Sequence, residues 1–365
     1  MKWKEQMLTL KAYQPGRTTD DVKKEYGLKE VVKLASNENP FGSSEKVREC
    51  IRSYADSFSI YPDGYTTSLR TELAEFLNID EKQLIFGNGS DEIILMISRA
   101  MLEPGKNTVM ATPTFPQYRH NAVVEGAEVR EVELVNGAHD LDKMADAIDE
   151  NTAIVWLCSP NNPTGIHITD TQLRAFLDSV PDDVFVVLDE AYYEYVTADD
   201  YYDALEIVKQ YKNVIVLRTF SKIYGLAAFR VGYGFADESL IAQIDPVREP
   251  FNVNSLGQKA AAAGISDQSF IEMCRTENKA GLEQFYAFCR EEKLEYYPSE
   301  ANFILIDFKC DSNELFEYLM SKGYIVRSGA ALGIPGTVRV TVGSKEQNEG
   351  VMKAMKSFLA ETVKR

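Results

Sequence analysis

Histidine is scarce in this 365-residue chain: only His120, His139 and His167 occur, and they are scattered. That scarcity argues against histidine-based catalysis and against a histidine metal cluster. Cysteine is also thin. Cys50, Cys158, Cys274, Cys289 and Cys310 make an odd number with no CxxC pair, so neither a disulfide framework nor a zinc site is indicated, and no metal is expected. Positive charge is outnumbered, 39 Lys and Arg against 56 Asp and Glu, for a net charge of -17. This excludes nucleic acid and anionic membrane surfaces as partners, yet leaves room for an anionic small ligand in a local cationic pocket. No apolar run reaches membrane-spanning length, and the opening Met1-Lys-Trp-Lys-Glu-Gln has no apolar signal region, so a cytoplasmic protein is expected. Hydrophobic residues, by contrast, make up 45% of the chain, enough for a large core.

From about residue 83 strand-like and helix-like stretches alternate. Apolar runs at 83–86, 107–111, 128–134, 153–158, 184–188 and 213–217 read as strands, with helical periodicity between them. This pattern predicts an α/β fold with a mostly parallel central sheet covered by helices on both faces. Beyond about residue 250 long helices precede strands at 303–308 and 338–341, which reads as a smaller α+β domain. The expected division is an N-terminal arm at 1–35, a large domain at 36–250 and a small domain at 251–365. In open α/β sheets ligands lie at the carboxyl ends of the strands, and the chemically suggestive segments fall at such ends.

Lys222 follows the apolar run 213–217 in Thr219-Phe-Ser221-Lys222, with Arg230 eight residues on. It reads either as a loop lysine at a helix start or as a buried, deprotonated nucleophile able to form a Schiff base. Thr219, Ser221 and Arg230 could together hold a phosphate, and the combination suggests pyridoxal phosphate (PLP). Gly87-Asn-Gly89-Ser90-Asp91-Glu92 is a glycine-bearing turn into a helix, either an ordinary cap or a site offering free N–H groups to an anion. Ser159-Pro-Asn-Asn162-Pro-Thr-Gly165 is a rigid loop after a strand, where an asparagine can donate to a phenolic oxygen. Asp189, after the apolar run 184–188, is expensive to bury unless it meets a positive charge such as a protonated pyridine nitrogen; the alternative is an acidic cap. Tyr192 could bond the cofactor's phenolic oxygen. Arg339 in Val-Arg-Val-Thr-Val, with Arg327 upstream, suits a bidentate anion, or else faces outward. Phe115 could stack on an aromatic ring or serve the core, and Tyr61 either packs in its turn or points into a neighbouring subunit.

In order, these segments read GNGSDE, PTFPQY, SPNNPTG, LDEAYYEY, TFSKIYGLAAFRVGYG and VRVTVG. The set resembles the fold-type I PLP-dependent aminotransferases nearly end to end, including the early Leu-Ala-Ser-Asn-Glu-Asn-Pro-Phe-Gly, and is most like the branch acting on histidinol phosphate. The resemblance implies an aspartate aminotransferase-like fold and PLP as cofactor. It implies transamination of L-histidinol phosphate with 2-oxoglutarate by ping-pong kinetics, in a homodimer. Lys222 would carry the cofactor as a Schiff base and act as base and acid. Asp189 would pair with the pyridine nitrogen, Asn162 and Tyr192 would contact the phenolic oxygen, and Phe115 would stack on the ring. Ser90, Thr219, Ser221 and Arg230 would bind the phosphate, with Asp91 beside the same helix start and Tyr61 reaching the partner subunit's phosphate. Arg339 would bind the substrate's anion, with Arg327 and Tyr13 as further candidates. Ala228 stands where many relatives have glycine, and Phe115 where many have tyrosine. An aromatic-amino-acid aminotransferase, a decarboxylase of a phosphorylated amino acid such as threonine phosphate, and a non-catalytic protein of the same fold are the rival readings.

Overall fold

Runs such as Val-Ile-Val-Leu and Phe-Val-Val-Leu carry branched or aromatic side chains at every position, which suits a strand covered on both faces. In the computed structural model, which describes residues 1–8, 10, 16–54 and 58–362, they lie at the centre of a seven-stranded sheet. Its order is Leu84–Gly87, Gly232–Ala236, Val214–Thr219, Phe185–Asp189, Thr152–Cys158, Asn107–Thr112, Glu128–Glu133. Successive side chains on a strand point to opposite faces. Val155, Leu157, Val186, Leu188, Val214 and Val216 accordingly join one apolar core. Ile154, Trp156, Phe185, Val187, Ile215 and Leu217 join another on the reverse face.

All neighbours in this sheet are parallel except Gly232–Ala236, which runs antiparallel to both strands beside it. Sequence periodicity does not announce this strand, because Gly-Tyr-Gly-Phe-Ala has glycine where a strand normally packs a side chain. The reason lies in close approach: a Cβ on Gly232 would sit 2.3 Å from the backbone nitrogen of Ser90. Gly232 pairs with both Gly87 and Thr219. One residue thus separates the glycine turn from the Lys222 segment.

A smaller antiparallel sheet follows the order Arg327–Ser328, Thr337–Thr341, Phe303–Asp307, Glu295–Tyr297. Ile304, Ile306, Val338 and Val340 pack there against Leu315 and Leu319 of helix Ser312–Ser321 and Met355 and Phe358 of helix Lys345–Thr362. The N-terminal region is tied to this unit. Val32–Lys33 pairs in parallel with Tyr324–Ile325, and Val22 of helix Thr19–Tyr26 packs with Met320 and Ile325. Helix Ser255–Ile265 contributes Ala260 and Ala261 to the large sheet's core. Helix Gln268–Glu292 spans both units, burying Ile271 and Cys274 in the large core and Leu282, Phe285 and Phe288 in the small one. Among the described residues no helix is long and apolar enough to cross a membrane, and no group of three or more His, Cys, Asp or Glu could hold a metal ion.

Candidate active site

The expected residues gather where the strands end. Asp189 is the last residue of strand Phe185–Asp189, so it is part of the strand and not a helix cap. It is 3% exposed. Its Oδ2 accepts a hydrogen bond from Tyr118 Oη at 2.7 Å, and its Oδ1 accepts one from the Ala191 N–H at 3.1 Å. Among the described residues no lysine or arginine pairs with it. Burial outweighs both hydrogen bonds and pushes its carboxyl up to about 6. A buried carboxylate of this kind has room in its charge balance for a cation.

Lys222 lies three residues beyond strand Val214–Thr219. Its Nζ donates to the Ser36 carbonyl at 3.3 Å and stands 5.7 Å from the Tyr192 ring centre. Desolvation, followed by repulsion from Arg339, lowers its ammonium to about 8. Lys222 is half-buried in the bend after its strand, and desolvation sets it apart from a lysine on an open surface. Tyr192 is buried, and its Oη accepts from Asn37 Nδ2 at 3.0 Å, while burial pushes its hydroxyl up to about 12.

The glycine turn leads into an uncapped helix start. Helix Ser90–Met101 starts after Gly89, and no side chain caps it, so its first N–H groups are left to a ligand or solvent. Ser90 is the first helical residue, not the cap. Arg230 lies over the turn: Nη1 reaches Ser221 Oγ at 3.4 Å, and Nη2 reaches the Asn88 carbonyl and Asp91 Oδ2, each at 3.3 Å. A Cβ on Gly89 would meet Arg230 Nη2 at 2.7 Å, and its φ of 74 is a conformation that residues with a Cβ rarely adopt. Arg230 itself sits in the left-handed region at φ 54, a strained position for a residue with a Cβ. Thr219 Oγ1 accepts from the Ser221 N–H at 3.1 Å, which fixes the turn.

Arg339 is 6% exposed, on a strand buried at every position, which settles the outward-facing alternative against it. It donates to Asn162 Oδ1 and, through Nη2, to the Ala35 carbonyl at 2.7 Å. Arg327 pairs with Arg339 across the two strands. Directly opposed residues share a face, and like charges there repel unless an anion joins them. Phe115 is half-buried, edge-on to Tyr118 with ring centres 5.6 Å apart. Tyr61 stands apart from this cluster, at the surface, stacked on Phe251 at 4.7 Å. Tyr13 lies outside the described residues.

Sequence reasoning does not reach two residues of the site. Tyr118 comes three positions after Phe115, in the first turn of helix Pro116–Glu125, for which Phe115 is the extended N-cap. Asn37, at φ 57, donates to Tyr192, and its Oδ1 accepts from Thr341 Oγ1 at 3.0 Å. Nothing local in Ser-Asn-Glu-Asn distinguishes it from a turn asparagine. The donor set as a whole fits PLP: a cradle for its phosphate, a lysine that sheds its proton readily, and a buried carboxylate lacking a cation.

An α/β sheet with a lysine, a buried carboxylate and an uncapped helix start at its strand ends suits a PLP-dependent enzyme. The family model for aminotransferase class I and II matches residues 29–355, and the chain belongs to that family of PLP enzymes. It is 58% identical over 361 residues to the histidinol-phosphate aminotransferase of Geobacillus thermodenitrificans (strain NG80-2), covering 99% of each chain. It is 57% identical over 360 residues to that of Bacillus subtilis (strain 168), covering 98% of this chain and 100% of the relative. The solved histidinol-phosphate aminotransferase of Sinorhizobium meliloti, in complex with pyridoxal-5'-phosphate, is similar with a TM-score of 0.88 at 25% identity over 98% of both chains.

Proposed function

We propose that this chain transfers the amino group of L-histidinol phosphate to 2-oxoglutarate, giving imidazole acetol phosphate and glutamate, in histidine biosynthesis. The observation that carries the reading is the full-length likeness, at 56–58% identity, to relatives named for that reaction. The charge layout agrees with it. Arg339 and Arg327, side by side, suit the phosphate of one substrate and a carboxylate of the other.

Ser90, Ser221, Thr219, Arg230 and the helix start beside Asp91 would hold the cofactor phosphate. Asp189 would face the ring nitrogen, Asn162 and Tyr192 the phenolic oxygen, and Phe115 the ring face. When bound, PLP supplies an electron sink for the bond broken at the substrate's Cα. Lys222 moves the proton at that carbon. With its ammonium lowered to about 8, Lys222 gives up its proton far more readily near neutrality than an unperturbed lysine does. Tyr192 remains a neutral donor because burial pushes its hydroxyl up to about 12; its oxygen accepts the Asn37 amide proton, and its own proton is free to point elsewhere.

A homodimer completes the reading. Phe58, Ile60, Tyr61, Tyr65 and Phe251 are exposed, beside a cavity of about 760 Å³ lined in part by Tyr54, Ile60, Tyr61 and Lys259. Exposed apolar clusters of this kind mark interaction surfaces. A second copy seated here would carry Tyr61 to its partner's cradle. A cytoplasmic location accords with this role.

Steady-state kinetics test the substrate. Histidinol phosphate with 2-oxoglutarate should release glutamate, with parallel double-reciprocal lines and a kcat/KM well above those for phenylalanine and tyrosine. Preference for the aromatic amino acids, or release of carbon dioxide from threonine phosphate, would replace the proposal with one of its rivals.

A further inference from the structure

Asp189 would face the cofactor's ring nitrogen, but it does not stand alone. We propose that Tyr118 is a positioning residue: its buried hydroxyl holds the Asp189 carboxylate oriented and ionised, so that the carboxylate keeps the cofactor's ring nitrogen protonated. This rests on the PLP reading above and deepens it.

The geometry is specific. Tyr118 is fully buried, and its Oη lies 2.7 Å from Asp189 Oδ2. Its ring is stacked on Trp156 at 4.9 Å with the planes 10° apart. Trp156 is fixed in turn, since Nε1 donates to Thr108 Oγ1 at 2.8 Å, and Thr108 Oγ1 donates to the Ile154 carbonyl at 2.8 Å. Phe115 closes the other side edge-on. A ring clamped in this way cannot swing its hydroxyl off the carboxylate without disturbing the core.

The chemistry follows from what faces Asp189. The titratable groups around it are Tyr118, Cys158, Tyr192, Asp91 and Glu190, all neutral or acidic. Burial and the two acids favour the protonated carboxylic acid. The Tyr118 O–H and the Ala191 N–H are the hydrogen-bond donors that favour the carboxylate. Burial pushes the Tyr118 hydroxyl well above its ordinary range, so it stays a donor at any working pH. A neutral donor has a further property: it stabilises the negative charge without cancelling it, whereas an arginine here would satisfy Asp189 and leave it no charge to offer the ring nitrogen.

Tyr118→Phe removes the hydroxyl and keeps the clamped ring. The full-length protein is loaded with ring-¹⁵N-labelled PLP, and three quantities are read: thermal melting, the dissociation constant for PLP, and the ¹⁵N resonance of the ring nitrogen. The expected result is near-wild-type melting, PLP binding weaker by roughly ten-fold or more, and a resonance moved from the protonated toward the unprotonated position. In an Asp189→Ala background the same substitution should change PLP affinity by less than about two-fold, because its effect passes through Asp189. A fluorotyrosine at position 118, a stronger donor on the same ring, should keep the resonance protonated, and it serves if the phenylalanine variant does not fold. An unchanged resonance and affinity in Tyr118→Phe, or an equal loss without Asp189, would overturn the proposal and leave the PLP reading standing. Failure of the wild-type protein to bind PLP would overturn both.

Discussion

Asp189 and Glu190 are consecutive, both carboxylates and both buried, yet their surroundings differ completely. Strand alternation sends them to opposite faces of the sheet. On the reverse face, Glu190 Oε2 meets Arg218 Nε at 2.8 Å with both side chains almost wholly buried, and the Arg218 guanidinium lies 3.6 Å from the Tyr193 ring centre. That charge is matched within the chain. On the site face Asp189 has one phenol and one amide, and no cation among the described residues. A buried charge paired by its own fold is architecture, whereas Asp189, left without a cation at the strand ends beside Lys222, has room for a ligand's charge. Function lies in that difference more than in burial itself.

Substitutions can sharpen the contrast. The largest effect belongs to Lys222→Ala, which should lower turnover by about 10⁴-fold or more with little change in melting. In the wild-type protein, kcat should rise with pH up to about 8, because it reports the substrate complex in which Lys222 is released and loses its proton, and a kcat profile flat between pH 6 and 8 would contradict the assigned base. Next come the two neighbours, with opposite signatures. Asp189→Ala should lower the rate roughly 10²–10³-fold and leave the cofactor-free protein folded. Glu190→Gln should cost about 3–5 kcal/mol of stability, because Arg218 is left charged and buried, while the protein that remains folded keeps its chemistry. Equal effects of the two changes on rate and on stability would erase the distinction. Arg339→Ala should raise KM for histidinol phosphate by roughly 10–100-fold, more than Arg327→Ala, which is less buried.

The smallest effect lies on the reverse face. Glu194 is 5% exposed, its Oε2 has no hydrogen-bond partner among the described residues, and burial pushes its carboxyl up to about 7. A folded-state value raised above the unfolded one means the folded protein holds the extra proton. Stability is therefore lost as pH rises through that window, and above about 7 the buried charge is a burden. Glu194→Gln should stabilise the protein by about 1–3 kcal/mol at pH ~8 and by little at pH ~5, as read by denaturant unfolding.

Much of this was legible in the chain. Lys222, Asp189 and Arg339 each place a charge in or at the end of an apolar strand, and a charge there is costly enough to flag itself. The parallel strands were legible for a similar reason, since a run apolar at every position fits few other places. Strand Gly232–Ala236 was hidden because its glycines answer to a contact with Ser90, far away in sequence. Asn37 was hidden for a comparable reason. Its partners Tyr192, Thr341 and Asn302 come from three distant segments, and none leaves a local signature. Tyr118 lies in the same PTFPQY segment as Phe115, but its role needs the position of Asp189.

The most direct test of the account is the first half-reaction. Purified, PLP-loaded protein is mixed with histidinol phosphate and no keto acid, and the visible absorbance of the cofactor is followed. The account predicts rapid, single-turnover conversion to the pyridoxamine form with one equivalent of keto product, faster than with phenylalanine, tyrosine or threonine phosphate. Absence of conversion with histidinol phosphate, in protein that binds PLP, would contradict it.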